Sequence, residues 1–291
     1  MNSAIQREIE EALQASHGSK LRIAAITPAA TSSFSSTARL TLQNGELLFV
    51  KYASDPPPGI FQREYEALRL LHDTYTLQVP EPLCSGSAFV VTCWIEFGSR
   101  STDWHEEFGR GLALLHQARQ SSRYGFDRNN YLGASKQTNA WRENWPDFWR
   151  ECRLGAQLAM WRAQARNNDE LLKLGERLLD RLEIYLGAIH EPGVLLHGDL
   201  WSGNAAADRN GKPVIYDPAT YYGHREAEFG MMRLFGGFGP RVEAAYQEVW
   251  PFAAGSDERV TLYRLYHELN HLNLFGTGYY EQCVGTIKSL L

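Results

Sequence analysis

The stretch Val194-Leu-Leu-His197-Gly-Asp199-Leu-Trp201-Ser-Gly-Asn204-Ala-Ala-Ala-Asp208-Arg-Asn-Gly-Lys212-Pro-Val-Ile-Tyr-Asp217 decides how the chain is read. Val194–Leu196 and Val214–Tyr216 are short apolar runs, and Arg209–Lys212 is a turn with Asn-Gly at its centre. The segment therefore reads as a strand, a loop, and a hairpin that returns Asp217 toward the loop. An Asp, an Asn and a second Asp are expected around one small volume.

That set suits phosphoryl transfer from ATP. One carboxylate orients the attacking hydroxyl and takes its proton, while an amide oxygen and a second carboxylate hold Mg²⁺ against the phosphates. His-x-Asp with Asn five residues after the Asp is the catalytic-loop spacing of kinases. Gly198 stands where protein kinases carry Arg, and Asp217-Pro-Ala stands where they carry Asp-Phe-Gly.

Upstream, Leu21–Ile26, Ala38–Gln43 and Glu46–Tyr52 read as strands, the last two joined across Asn44-Gly45. Lys51 closes the very apolar run Leu47-Leu-Phe-Val. A cation there either faces water or pairs inside a cleft. The candidate partner is Glu64, on a helix near 60–72 whose stripe is Phe61, Tyr65, Leu68 and Leu71. Kinases use such a lysine on the α- and β-phosphates, held by a helix glutamate. Between the first two strands lies Ala30-Thr-Ser32-Ser33-Phe34-Ser-Ser-Thr37, where a kinase places its phosphate-covering loop, although no glycine is present. Residues 3–15 read as an amphipathic helix with Ile5, Ile9, Ala12 and Leu13 on one stripe. Ala88–Trp94 reads as a buried strand. Thr92, Cys93 and Trp94 are expected to form a hinge whose backbone groups bond the adenine, dividing the chain into 1–92 and 93–291.

Beyond the hinge, every expected element except the catalytic strand and its hairpin is helical. Helices are expected to about 118 behind an Asp103/Glu106 capping pair, then over 145–166, 168–188, 226–234, 241–250, 257–274 and 277–290. Trp149, Leu154, Leu158 and Trp161 fall at core spacing. Asp217 is followed by only about eight residues before the next helix, and no Ala-Pro-Glu follows. Without a long activation segment there is no platform for an extended peptide, so the acceptor is a small molecule or a small group projecting from a larger one. Trp201, Tyr221, Tyr222, Glu226 and Glu228 flank the motif. Flat faces and carboxylates suit a sugar ring or a cationic amine, and they equally suit core aromatics and acids at a helix start.

Length and composition set outer bounds. A chain of 291 residues is long for one core. A net charge of −5 argues against a broad nucleic-acid surface. Cys84, Cys93, Cys152 and Cys283 have neither Cys-x-x-Cys spacing nor a nearby His pair, and they read as reduced thiols. A charged N-terminus and the absence of any membrane-length apolar run make the cytoplasm the expected compartment, with no membrane partner.

The residues also carry a resemblance. His197-Gly-Asp-Leu-Trp-Ser-Gly-Asn204, Asp217-Pro-Ala-Thr-Tyr-Tyr-Gly-His-Arg-Glu-Ala-Glu228 and Leu234-Phe-Gly-Gly-Phe238 resemble the fructosamine kinase (ketosamine-3-kinase) family, as does Leu262-Tyr-Arg-Leu-Tyr-His267-Glu-Leu-Asn-His271-Leu-Asn-Leu-Phe-Gly276. His-Gly-Asp with Asn is shared with aminoglycoside and choline kinases, whereas Trp201 and Asp-Pro-Ala-x-Tyr-Tyr-Gly-His are more specific. The resemblance implies an α+β, two-lobed protein-kinase-like fold with a small β-rich N-terminal lobe and a larger helical C-terminal lobe. It implies ATP- and Mg²⁺-dependent phosphorylation of the sugar O3 of ketosamines, free or on protein lysines, which destabilises the adduct and releases the amine. Carried over by position, Asp199 is the proton acceptor, Asn204 and Asp217 hold Mg²⁺, Lys51 and Glu64 anchor the phosphates, and Trp201 faces the sugar. The phosphate loop around Ser32, Ser33 and Phe34 departs from the family in lacking glycine. Oligomeric state is not legible.

Overall fold

The computed structural model describes residues 1–17, 21–31, 35–164 and 170–291. The chain divides into two compact units, Met1–Trp104 with Ala206–Pro218, and His105–Ala205 with Ala219–Leu291. The sequence placed the division at 92/93. It falls later because residues 94–104 and the hairpin before Asp217 make their contacts within the first unit: Gly98 N–H donates to Ala207 O (2.9 Å) and Trp104 Nε1 to Ala206 O (3.1 Å).

In the first unit, α1 (Ser3–His17) precedes an antiparallel sheet of β1 (Ile23–Thr31), β2 (Ser36–Leu42) and β3 (Leu47–Tyr52). Helix α2 (Ile60–His72) follows, then β4 (Pro82–Ser85) and β5 (Phe89–Cys93), in the spatial order β1-β2-β3-β5-β4. Period-two alternation puts Leu48 and Val50 of β3 into the core with Ala38, Leu40, Leu42 and Val91, against Ile5, Ile9 and Leu13 of α1. Each such side chain contributes about 1.5–3 kcal/mol by burial. Register sets Lys51 opposite Thr37 and Val90. Strand β1 runs five residues beyond the expected Ile26, with irregularities at Ile23/Ala25 and Pro28/Ala30. The phosphate-loop residues Ser32, Ser33 and Phe34 lie outside the described residues.

The second unit opens with α3 (Trp104–Ala118), β6 (Gln120–Ser121), and the hairpin of β7 (Asn130–Leu132) and β8 (Ser135–Gln137). The helix expected over 145–166 forms as α4 (Trp145–Trp149), one π-helical stretch (Arg150–Leu154) and α5 (Gly155–Arg162). Helices α6 (Glu170–Leu179) and α7 (Leu182–Leu186) lead to β9 (Gly193–Leu196), every residue of which is buried. Strands β10 (Ala205–Ala207) and β11 (Pro213–Ile215) form the hairpin before Asp217, and β12 (Tyr221–Gly223) pairs with β9 in the order β12-β9-β6. Helices α8 (Ala227–Leu234), α9 (Pro240–Val249), α10 (Ser256–Phe275) and α11 (Tyr280–Ser289) complete the unit. The expectation of an otherwise all-helical second half thus misses β6, β7, β8 and β12. Strands of two or three residues are too short to show a period. Trp149, Leu154, Leu158 and Trp161 are buried in the main core, and Trp145 Nε1 donates to Tyr263 Oη (2.9 Å) within it.

Candidate active site

In the first unit, β3 and α2 bring Lys51 and Glu64 together. Lys51 Nζ lies 3.2 Å from Glu64 Oε1, 3.1 Å from Glu64 Oε2 and 3.2 Å from Asp217 Oδ1. Burial works against the lysine's charge, but the two carboxylates outweigh it and hold its pKa above the ordinary value. Glu64 moves up as well, through burial first and the nearby Asp217 charge, with Lys51 opposing. One ammonium therefore serves two carboxylates, and the cluster favours a further cation. Asp217 adopts φ 57°, a left-handed conformation that Asp tolerates better than bulkier residues, and its side chain is 41% exposed.

Glu64 and Asp217 line a cavity of about 380 Å³ with Phe49, Thr92, Ile95 and Tyr216. Its walls are mostly apolar, with Phe97 and Tyr216 stacked at 5.6 Å. Two of the backbone N–H groups of the expected hinge are engaged within the fold. Strand β5 is flanked on both sides, so Cys93 N–H donates to Glu81 O (2.9 Å) and Trp94 N–H to Leu47 O (3.4 Å). Ile95, the next residue in the cavity wall, has an N–H with no partner among the described residues. Sequence reading missed it because the sheet edge at which pairing stops is a long-range property.

In the second unit, β9 delivers His197, Gly198 and Asp199 from the core. Gly198 has φ 82°, and a Cβ there would lie 2.3 Å from Ala219 O, so the turn into Asp199 requires glycine. Glu228, on α8, accepts from His197 N–H (2.6 Å) and Gly198 N–H (2.9 Å), with His116 Nε2 3.6 Å away. Burial raises the Glu228 pKa, but His116, His197 and the backbone donor more than offset it and hold the carboxyl below its usual range. The acid that the sequence left as either a helix-start residue or a site residue thus fixes the loop's backbone. The Asn204 amide donates to Asp199 O (2.8 Å) and Asp199 Oδ2 (3.2 Å), closing the loop on the side chain it presents.

Trp201 is 36% exposed, which sets it apart from the core tryptophans. Its indole packs where a Cβ on Gly203 would stand, 2.3 Å from the ring. Asp199 and Trp201 share a cavity of about 500 Å³ with Phe235, His267, Asn270 and His271. Tyr221 is buried beside Phe148 and Arg153, and Glu226 is buried in a two-pronged pair with Arg259 (2.7 and 2.9 Å). Both belong to the frame.

The fructosamine kinase family model matches residues 5–291. The chain belongs to the fructosamine kinase family. It is 42% identical over 250 residues to the chloroplastic protein-ribulosamine 3-kinase of Oryza sativa subsp. japonica, covering 84% of this chain and 72% of that protein. A Thermobifida fusca protein solved as a candidate fructosamine-3-kinase superposes with a TM-score of 0.89 at 29% identity, covering 100% of this chain and 99% of that one. The streptomycin–ATP–APH(2″)-IIa ternary complex superposes at TM-score 0.64 and 14% identity, with 99% and 96% covered. That likeness shows the protein-kinase-like fold alone.

Asp217 in the first unit and Asn204 in the second each carry a hard oxygen of the type Mg²⁺ takes, and Lys51 carries a positive charge of the type phosphates take, so the chemistry of the donor types in this fructosamine kinase family member is compatible with a magnesium nucleotide. Among the described residues, no group of three His, Cys, Asp or Glu side chains offers a metal site of another kind, and all four cysteines are free. No described helix is long and apolar enough to cross a membrane.

Proposed function

We propose that the protein is an ATP-dependent kinase that phosphorylates the sugar O3 of ketosamines, free or carried on protein lysines, and so initiates their breakdown to the free amine. The single observation that carries the reading is Asp199 opening into an aromatic cavity that it shares with Trp201 on its own loop.

Asp199 accepts the proton of the attacking hydroxyl. Asn204 and the Glu228-anchored backbone hold the carboxylate's loop in place, which matters because positioning and charge stabilisation supply most of the catalysis in phosphoryl transfer. Trp201 offers its flat face to the sugar. Lys51, oriented by Glu64, binds the α- and β-phosphates. By the resemblance, the loop over these phosphates is that of Ser32, Ser33 and Phe34, which lie outside the described residues and carry serines in place of the usual glycines. The adenine occupies the cavity lined by Phe49, Thr92, Cys93, Trp94, Ile95 and Tyr216, where backbone groups of that segment bond it. Asn204 and Asp217 would hold Mg²⁺, which when bound neutralises phosphate charge. The reduced thiols accord with a cytoplasmic enzyme.

An aminoglycoside, with several ammonium groups, calls for several carboxylates, and among the described residues that line the acceptor cavity Asp199 is the one acid. ATP consumption measured against a ribulosamine, a fructosamine, choline and an aminoglycoside tests the reading. Turnover with the ketosamines is expected. Turnover with choline or the aminoglycoside and none with either ketosamine overturns it.

A further inference from the structure

The cavity around Asp199 changes character outward. Beyond Trp201, rings follow one another: Trp201 to Phe235 at 5.7 Å, Phe235 to His271 at 5.1 Å, and His271 to Phe275 at 5.4 Å and Tyr279 at 5.3 Å. Phe235 is 44% exposed and Phe275 62%. A contiguous exposed aromatic cluster forgoes the gain of burial and marks a contact surface.

Charge is the second observation. Of the twelve described residues that line this cavity, Asp199 is the one carboxylic acid, and none is Lys or Arg. The two histidines are neutral there. Burial lowers His267 to about 3, aided by the nearby His271 and Arg153, and burial also lowers His271. His271 Nδ1 donates to His267 O (2.8 Å), so it is the neutral ring's Nδ1 that carries the proton. Among the described residues that line it, an acceptor entering here meets one carboxyl group, negative ring faces and no Lys or Arg.

We propose that the rim of Phe235, His271, Phe275 and Tyr279 takes the amine half of the ketosamine and selects adducts whose nitrogen continues into an uncharged stem, as on a lysine side chain, against adducts of free α-amino acids. This rests on the ketosamine reading of the Asp199 site. A protonated secondary amine is attracted by ring faces and by Asp199, and a methylene stem lies well on phenyl faces. A carboxylate one carbon from that nitrogen offsets the ammonium's charge and meets Asp199 in a partly desolvated cavity where no described lining residue is Lys or Arg. Selection against the carboxylate is therefore built from a described lining without Lys or Arg as much as from the presence of aromatics.

The test uses four ribulosamines with the same sugar, carried on the side chain of Nα-acetyl-lysine amide, on methylamine, on glycine and on glycinamide. The glycine adduct is expected to have kcat/KM about tenfold below the glycinamide adduct, from which it differs by one charge. Phe275→Ala is expected to cost about fivefold in kcat/KM for the lysine adduct, mainly through KM, with the loss shrinking for the methylamine adduct. Equal kcat/KM for the glycine and glycinamide adducts, or a Phe275→Ala loss independent of the stem, overturns the proposal and leaves the ketosamine reading standing. A wild type that binds ATP and phosphorylates none of the four overturns both.

Discussion

The cavity beside Lys51 and the cavity beside Asp199 are held together by different forces. The first is organised by charge: an ammonium about 3 Å from each of two carboxylates, both of which line a mostly apolar cavity. The second contains a single carboxylate, held through its backbone by Asn204 and Glu228 and surrounded by rings. Polyanionic phosphates need fixed charges. A sugar-bearing amine needs flat faces and few charges, because every buried charge left unpaired costs several kcal/mol. The difference predicts that nucleotide and acceptor binding fail separately under mutation.

Asp199→Asn tests this most severely. It keeps the shape of the loop and removes the proton acceptor, so kcat is expected to fall by about 10²–10⁴-fold while ATP affinity stays within about twofold. Retained activity within a few-fold would dissolve the distinction between the two cavities. Asp217→Ala acts on the other side. Loss of a carboxylate bound to a hard cation is expected to weaken magnesium-dependent nucleotide binding by about 10–100-fold, the value of a charged hydrogen bond. Equal, metal-independent ATP affinity in both proteins would refute the assignment of Asp217.

Trp201→Ala is expected to lower ketosamine kcat/KM by about ten- to a hundredfold, in line with stacking contacts of roughly 1–3 kcal/mol. Because the indole is 36% exposed, Tm should move much less than the loss of a core tryptophan would cause. A large Tm shift with unchanged kinetics would return Trp201 to the frame. Glu228→Gln keeps one acceptor for two buried N–H groups, and about a tenfold loss in kcat with unchanged KM for ATP is expected. A KM effect for ATP without a kcat effect would contradict its role in positioning the Asp199 loop.

Acid separates the two units by stability and not by kinetics. Burial lowers the pKa of His116, His224, His267 and His271, all in the second unit, with neighbouring positive groups adding to it in three of them. A base held neutral in the folded state stabilises fully above its unfolded pKa, near 6.5, and loses that contribution as pH falls below it, because the unfolded chain takes the proton first. Each such histidine costs up to about 1.4 kcal/mol per pH unit. Calorimetry from pH 7 to 5 is expected to show the second unit's transition falling ahead of the first's, and a Tm flat to pH 5 would contradict it.

The legible parts of this site were those fixed by short spacing. Asp199 to Asn204 lies within one loop, and the hairpin signal at Asn210-Gly211 set the return to Asp217. Lys51 and Glu64 were legible because an apolar strand ending in a cation asks for a partner, and the next helix supplied one at the right phase. Glu228 was not, because its partners are 30 and 31 residues away and an acid at a helix start already has a local explanation. The N–H of Ile95, without a partner among the described residues, was hidden for a similar reason: it depends on Glu81 and Leu47 claiming the two before it. The π-helical stretch at Arg150–Leu154 has no sequence cue, since its residues satisfy a helical pattern equally well.

The division of the chain has a consequence for how the protein is made. Residues 206–218 complete the first unit, yet they leave the ribosome more than a hundred residues after Trp104. At about 5–20 residues per second, the first unit waits roughly 6–20 s for its last piece. During that interval, Gly98 N–H and the Trp104 indole lack the carbonyls of Ala207 and Ala206, and Lys51 has only Glu64. A chain released early, at residue 104 or 150, would carry a nearly finished sheet with no Asp217. The nascent protein therefore cannot assemble its full Lys51 cluster until the loop bearing Asp199 has also been synthesised.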